Sequence, residues 1–132
     1  MDAFHSDDHL ASWCGLSPGN HKSAGKKKTT RVKAGNNYVK TILCQCAHAA
    51  SNTKGTYIAS RYWSIKARRG PQKAAIATAR KMITTLYHMI KNKQMYQEPG
   101  PDAYLIARHQ NRVKSMKKKL ESLGYEVVEK AV

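Results

Sequence analysis

Helical periodicity on both sides of one dipeptide, Gly70-Pro71, constrains this chain most. Glycine after the last turn of one helix and proline in the first turn of the next is a stop-and-start signal. Downstream, Ala75, Ala79, Met82, Ile83, Leu86 and Ile90 fall on one stripe and predict a helix to about Asn92. Upstream, a helix from about Thr53 to Arg69 carries Ile58, Tyr62 and Ile65 on one side, with Lys54, Arg61, Lys66, Arg68 and Arg69 around the rest. Two helices joined this tightly predict an antiparallel hairpin. Before them, Val39, Ile42, Leu43, Cys46, Ala47 and Ala50 recur at i, i+3, i+4, i+7, i+8 and i+11, a full amphipathic match. Asn36 is the expected cap of that helix, and Lys40 starts its opposite face.

The ends add two more helices. Residues 6–13 fit a short one, with Ser6 as cap, Asp7 and Asp8 at the positive end of its dipole, and Phe4, Leu10 and Trp13 on an apolar side. Gln97-Glu98-Pro99-Gly100-Pro101 is a clear break. Asp102 then caps a last helix to about Leu123, closed by Gly124, with Tyr125 to Val128 as an extended tail. Val113, Met116, Leu120 and Leu123 form a seam that a partner helix could use, and Lys117, Lys118 and Lys119 its wet face. The expected fold is all-α: about five helices around a central antiparallel helical hairpin, with a basic glycine-rich loop near the N-terminus. The division falls at the break, with residues 1–101 as the helical domain and 102–132 as the C-terminal helix and tail.

That loop runs from Gly15 to Gly35 and has no apolar periodicity. Four glycines and Pro18 mark it as turning chain, and it holds Lys22, Lys26, Lys27, Lys28, Arg31 and Lys33. Ser23-Ala24-Gly25 lies among these cations. Three readings of Ser23 stand side by side: an ordinary loop serine, a hydroxyl contacting a phosphate, and a nucleophile toward a phosphodiester whose developing charge the cations would hold.

Charge narrows the functional classes. The chain carries 24 Lys and Arg against 8 Asp and Glu, a formal net charge of +16, which points to a polyanionic partner. Between Asp8 and Glu98 there is no carboxylate at all, while 17 Lys and Arg fall in that span. The span therefore has no acid pair for acid/base catalysis and no ligands for Mg²⁺. Cys44-x-Cys46-x-His48 superficially resembles a metal site, but one residue between cysteines is short for zinc, and on a helix the two would point about 200° apart. Three cysteines with no framework spacing suit a reducing compartment, and the acidic start is not a signal peptide. No apolar run spans a membrane, so the expectation is a cytoplasmic protein. Tyr57, Tyr62 and Trp63 are interleaved with cations, but aromatic residues at helical spacing read first as core.

The order of these pieces resembles the C-terminal domain of the insertion-sequence 110 family of bacterial transposases. Phe4, His9-Leu10-Ala11-Ser12-Trp13, Gly15-Leu16, Pro18-Gly19-Asn20, Ser23-Ala24-Gly25-Lys26 and Gly35-Asn36 carry the likeness. It continues through Thr53-Lys54-Gly55-Thr56-Tyr57, Arg68-Arg69-Gly70, Lys73-Ala74, Tyr87-His88-Met89, Met95-Tyr96 to Tyr104, and Leu123-Gly124-Tyr125-Glu126-Val127. The resemblance implies DNA strand cleavage and transfer. In that family an N-terminal RuvC-like domain holds Mg²⁺ with four acidic residues, and the C-terminal domain supplies a serine that becomes joined to a DNA end. An RNA made from the element guides target choice in some members.

By this likeness Ser23 is the nucleophile, and Lys22, Lys26, Lys27, Lys28, Arg31, Lys33, Lys40, Arg68 and Arg69 are the nucleic-acid-binding set. The partners implied are DNA, a guide RNA in some members, and a further copy of the chain or the RuvC-like half, with the bacterial nucleoid as the place of action. The chain opens inside what resembles the second domain, so the expectation is a truncated or split product, inactive alone, with no cofactor of its own and Mg²⁺ on the missing half. Lys22 departs from the acidic or polar residue common before the serine. Two alternatives remain: a non-catalytic basic nucleic-acid-binding protein, and a decayed remnant.

Overall fold

The computed structural model describes residues 3–19, 21–29 and 31–128, and at His21, Lys22, Lys27 and Lys28 the backbone alone. The elements in order are α1 (Asp7–Trp13), β1 (His21–Ser23), β2 (Lys26–Thr29), α2 (Asn37–Ser51), α3 (Tyr57–Arg69), α4 (Pro71–Asn92) and α5 (Ala103–Ser122). The fold is all-α, with one two-stranded antiparallel ribbon.

Local chemistry explains the helix starts. Ser6, Asn36 and Thr56 each accept a backbone N–H three residues on, from His9, Val39 and Ala59, at 3.3, 3.1 and 3.2 Å. Such caps satisfy donors that the first turn leaves free and are worth about 1 kcal/mol each. α3 begins at Tyr57 rather than at Thr53, because Gly55 has φ +73° and breaks the chain before the Thr56 cap. Gly70, at φ +83°, is the whole link between α3 and α4. Asp102 precedes α5 but makes no side-chain capping bond.

α4 is the shared element, with α1, α2 and α3 all packed on it. Its buried face is Ala74, Ala75, Thr78, Ala79, Ile83 and Tyr87. The alanines let neighbouring helices approach closely, and the larger groups supply burial of about 1.5–3 kcal/mol each. One cluster joins Leu10, Ala11, Cys14, Leu16, Ala47, Ala79, Ile83 and Tyr87, and a second joins Tyr62 and Ile65 to Ala74 and Ala75. Polar ties fix α1 on α4. Arg80 pairs with Asp8 at 2.6 Å, His88 faces Asp7 at 3.6 Å, and the Tyr87 hydroxyl donates to the Phe4 carbonyl at 3.2 Å. On α2, His48 Nδ1 meets the Tyr62 hydroxyl at 3.1 Å, and Trp63 Nε1 donates to the Ser51 carbonyl at 2.9 Å.

Several stripes sit rotated from the expected ones. On α2 the inward side is Val39, Leu43, Cys44, Ala47 and Ser51, while Ile42 and Cys46 are exposed. On α4, Leu86 and Ile90 are exposed and Tyr87 is buried. Trp13 is about half exposed and packs edge-on against Phe4, with ring centroids 5.7 Å apart. α5 has no buried residue. It touches α3 near its own start, where Tyr104 meets Tyr57 edge-on and lies under the Arg61 guanidinium, and where Arg108 donates to Ser64 Oγ at 2.8 Å. Val113, Met116, Leu120 and Leu123 stay exposed beyond that contact.

Candidate nucleic-acid interface

The stretch between α1 and α2, expected as a loop, is a β-hairpin pinned at its neck. Gly15 and Gly35 lie so close that a Cβ on Gly35 would sit 2.2 Å from the Gly15 nitrogen and 2.6 Å from the Trp13 carbonyl oxygen. The Asn36 N–H donates to that same Trp13 oxygen at 2.9 Å. Further along, Lys33 N–H donates to the Ser17 carbonyl at 3.2 Å and Gly19 N–H to the Arg31 carbonyl at 2.9 Å, with a bridge between Pro18 and Val32. The strands then pair His21 with Thr29, Lys22 with Lys27 and Ser23 with Lys26, with an irregularity between His21 and Lys22. Asn20 and Thr30 lie outside the described residues.

Ser23-Ala24-Gly25-Lys26 is the tip. Ala24 has φ +49° and Gly25 φ +74°, so both central residues are left-handed, as two-residue hairpin turns of the primed types require. Glycine adopts this freely; alanine does so at a cost of about 1–2 kcal/mol. Ser23 is therefore held at the last paired position before a strained turn, exposed to solvent, and its hydroxyl makes no hydrogen bond among the described residues.

At the base of the hairpin an open groove of about 800 Å³ lies between the hairpin, α2, α3 and α4. Arg31, Lys40, Arg69, Lys73 and Arg80 all line it. The fold thus brings together three of the sequence-derived cations from three separate stretches of chain. It does not bring all of them. Lys26 and Lys33 are exposed along the hairpin, and Arg68 turns its Nε to the Ser64 carbonyl at 3.2 Å, away from the groove lining. The side chains of Lys22, Lys27 and Lys28 lie outside the described residues. Lys73 and Arg80 were missed as site residues, although their spacing of seven on α4 places them on one helix face. Residues 1–64 match the family model described as the Transposase IS116/IS110/IS902 family.

Over those residues the chain is similar to that transposase family. The match takes in α1, the hairpin with Ser23, α2 and the first half of α3. The groove is completed from outside it, by Arg69, Lys73 and Arg80. No curated protein and no solved structure matches the chain.

The thiols and His48 of this stretch are not gathered into a site. Burial pushes the Cys14 thiol up, and burial raises Cys44 as well, with Lys40 pulling the other way. A raised thiol is a poor nucleophile. Cys44 packs against the core while Cys46 is exposed, and His48 is engaged with Tyr62. Among the described residues no three His, Cys, Asp or Glu side chains converge as metal ligands, and no helix is long and apolar enough to cross a membrane.

Proposed function

We propose that this chain is the DNA-binding, serine-bearing part of a transposase, with Ser23 as the nucleophile toward a scissile phosphate. One observation carries the reading: within the transposase-family residues, a serine sits exposed at the strained tip of a basic hairpin whose base opens on a groove lined by Arg31, Lys40, Arg69 and Lys73, with Arg80 beside them already paired to Asp8. Backbone strain tends to persist where a site needs a group held out of its relaxed place. The division of labour follows from charge. Lys26, Arg31 and the groove cations neutralise phosphates, with Lys22, Lys27 and Lys28 adding to the hairpin's field. A RuvC-like half with its own carboxylates would hold Mg²⁺ and would supply the metal chemistry that activates phosphoryl transfer. In the intact reaction the serine oxygen forms a bond to phosphorus, the 3′ or 5′ oxygen of the cut strand leaves, and a base on the partner half takes the serine proton. Alone, the chain binds DNA and cuts nothing.

That the Ser23 hydroxyl makes no hydrogen bond among the described residues favours one rival, a non-catalytic basic nucleic-acid-binding protein. The two separate cleanly. With the RuvC-like half of a relative added in trans and an element-end DNA as substrate, the transposase reading expects a covalent protein–DNA adduct. Ser23→Ala abolishes the adduct and leaves DNA affinity within about twofold, since one neutral hydroxyl contact is worth little beside the groove cations. Salt-sensitive binding with no adduct from the unsubstituted chain sinks the nucleophile and leaves the rival standing.

A further inference from the structure

We infer that the groove at the hairpin base takes single-stranded DNA, with an unstacked base laid on its floor. The inference rests on the reading that this face binds DNA and adds the form of DNA it accepts. The rim is cationic, but the floor is not. Pro18 and Val32 from the hairpin face Ile76 and Ala77 from α4, all at least partly accessible, and the buried Leu16 and Ile65 close the groove from beneath.

Charge alone would suit either duplex or single strand, because both carry phosphates. The apolar floor distinguishes them. A duplex turns phosphates and sugars outward and covers the faces of its bases by stacking, so it offers the floor no open base face. An unstacked nucleotide offers both together: a phosphate for the rim and an apolar base face for the floor. Gln72 stands exposed on the groove wall, and its amide presents a donor and an acceptor to a base edge. The same hairpin supplies one wall of the groove and the Ser23 tip, so a strand seated in the groove continues along a cationic ribbon toward the serine.

The test uses the full chain and one oligonucleotide sequence in three forms: single-stranded DNA, duplex DNA and single-stranded RNA. Fluorescence anisotropy at physiological salt should show single-stranded DNA bound about tenfold more tightly than duplex, the gain from covering roughly 50 Å² of apolar base surface. 2-Aminopurine within the strand should brighten on binding, because the floor holds no aromatic ring to quench it. Ile76→Ser removes floor surface, and because Ile76 also leans on the core, Val32→Ser repeats the test from the opposite wall. In each variant that melts cooperatively, the single-strand preference should shrink toward unity while duplex affinity holds. Equal affinity for the two DNA forms, or a preference untouched in both variants, overturns the inference. RNA bound tenfold better than DNA overturns the assignment to DNA. No binding to any of the three overturns the DNA-binding reading itself.

Discussion

Gly35→Ala tests the hairpin neck directly. The φ of Gly35 is not in the left-handed region, so alanine meets no backbone penalty there and the whole effect is steric. The added Cβ would lie 2.2 Å from Gly15 N, 2.5 Å from Gly15 Cα and 2.6 Å from the Trp13 oxygen. All three are backbone atoms, so no side chain can swing aside. Moving from 2.2 Å to the 3.4 Å of ordinary contact requires the two chain segments to part by about 1.2 Å. That separation also stretches the 2.9 Å hydrogen bond from Asn36 N–H to Trp13. Overpacking costs about 1–3 kcal/mol and a lost backbone hydrogen bond about 1 kcal/mol, so the variant should lose about 2–4 kcal/mol. For a domain of this size that is a fall in Tm of about 8–16 °C. The control is Gly25→Ala at the tip, where φ is +74° but nothing lies within 4 Å. It pays only the left-handed strain, about 1–2 kcal/mol. Thermal unfolding followed by far-ultraviolet circular dichroism should therefore rank Gly35→Ala well below Gly25→Ala. Equal melting temperatures, or the reverse order, would refute the close approach of the two glycines.

Other consequences can be read just as directly. Arg69→Ala and Lys73→Ala, both on the groove rim, should each lower DNA affinity and reduce the slope of log affinity against log salt by about 1, measured by anisotropy titration from low to high salt. Leu16→Ala, at a fully buried position, should cost about 2–5 kcal/mol in denaturant unfolding, whereas Leu123→Ala at the exposed end of the seam should change stability by less than about 0.5 kcal/mol. Tyr96 is pushed up to about 12, first by burial and then by its 2.9 Å hydrogen bond to Glu98. Its folded value lies above the ordinary 10.0, so its contribution to stability is present below that pH and fades as pH rises through 12. Glu98→Gln removes the carboxylate's share, and a phenolate absorbance titration should then show this tyrosine ionising at lower pH.

Much of the fold was legible because helices announce themselves locally. The Gly70-Pro71 pair, the Asn36 and Ser6 caps and the period of the apolar residues need no knowledge of the partners, and all became the expected starts and stops. What the pattern could not convey is which edge of each stripe faces inward. Ile42 and Cys46 lie on the apolar side of α2, yet Val39, Leu43, Cys44 and Ala47 are the ones that turn into the core, because the buried arc is set by where α3 and α4 lie. α4 shows the converse. Tyr87 lies off the expected stripe and is buried, since its hydroxyl reaches the chain before α1 while its ring fills the core. The α5 seam was legible as a seam, and its exposure follows from its contact with α3 being confined to the first turns around Tyr104.

The hairpin was hidden for a different physical reason. Alternating hydrophobicity marks a strand only when one face is apolar, and a ribbon of His-Lys-Ser against Lys-Lys-Lys-Thr carries no apolar face to show. What holds it is conformational: a turn with two left-handed residues at one end and a glycine–glycine contact at the other. The usual sequence mark of such a turn is Asn-Gly or Asp-Gly, and Ala-Gly lacks it. The four glycines of the stretch were thus readable as turning chain but not as two separate devices, a tip and a neck. That distinction bears on function. A serine in a mobile loop would meet a phosphate by chance encounter. A serine at the end of a ribbon anchored between α1 and α2 is carried by the same framework that sets the groove cations, so under the proposed reading the hydroxyl and those charges act from one frame. Lys73 and Arg80 complete that framework from α4, and no periodicity on α4 alone could reveal that their face would close against Arg31 and Lys40.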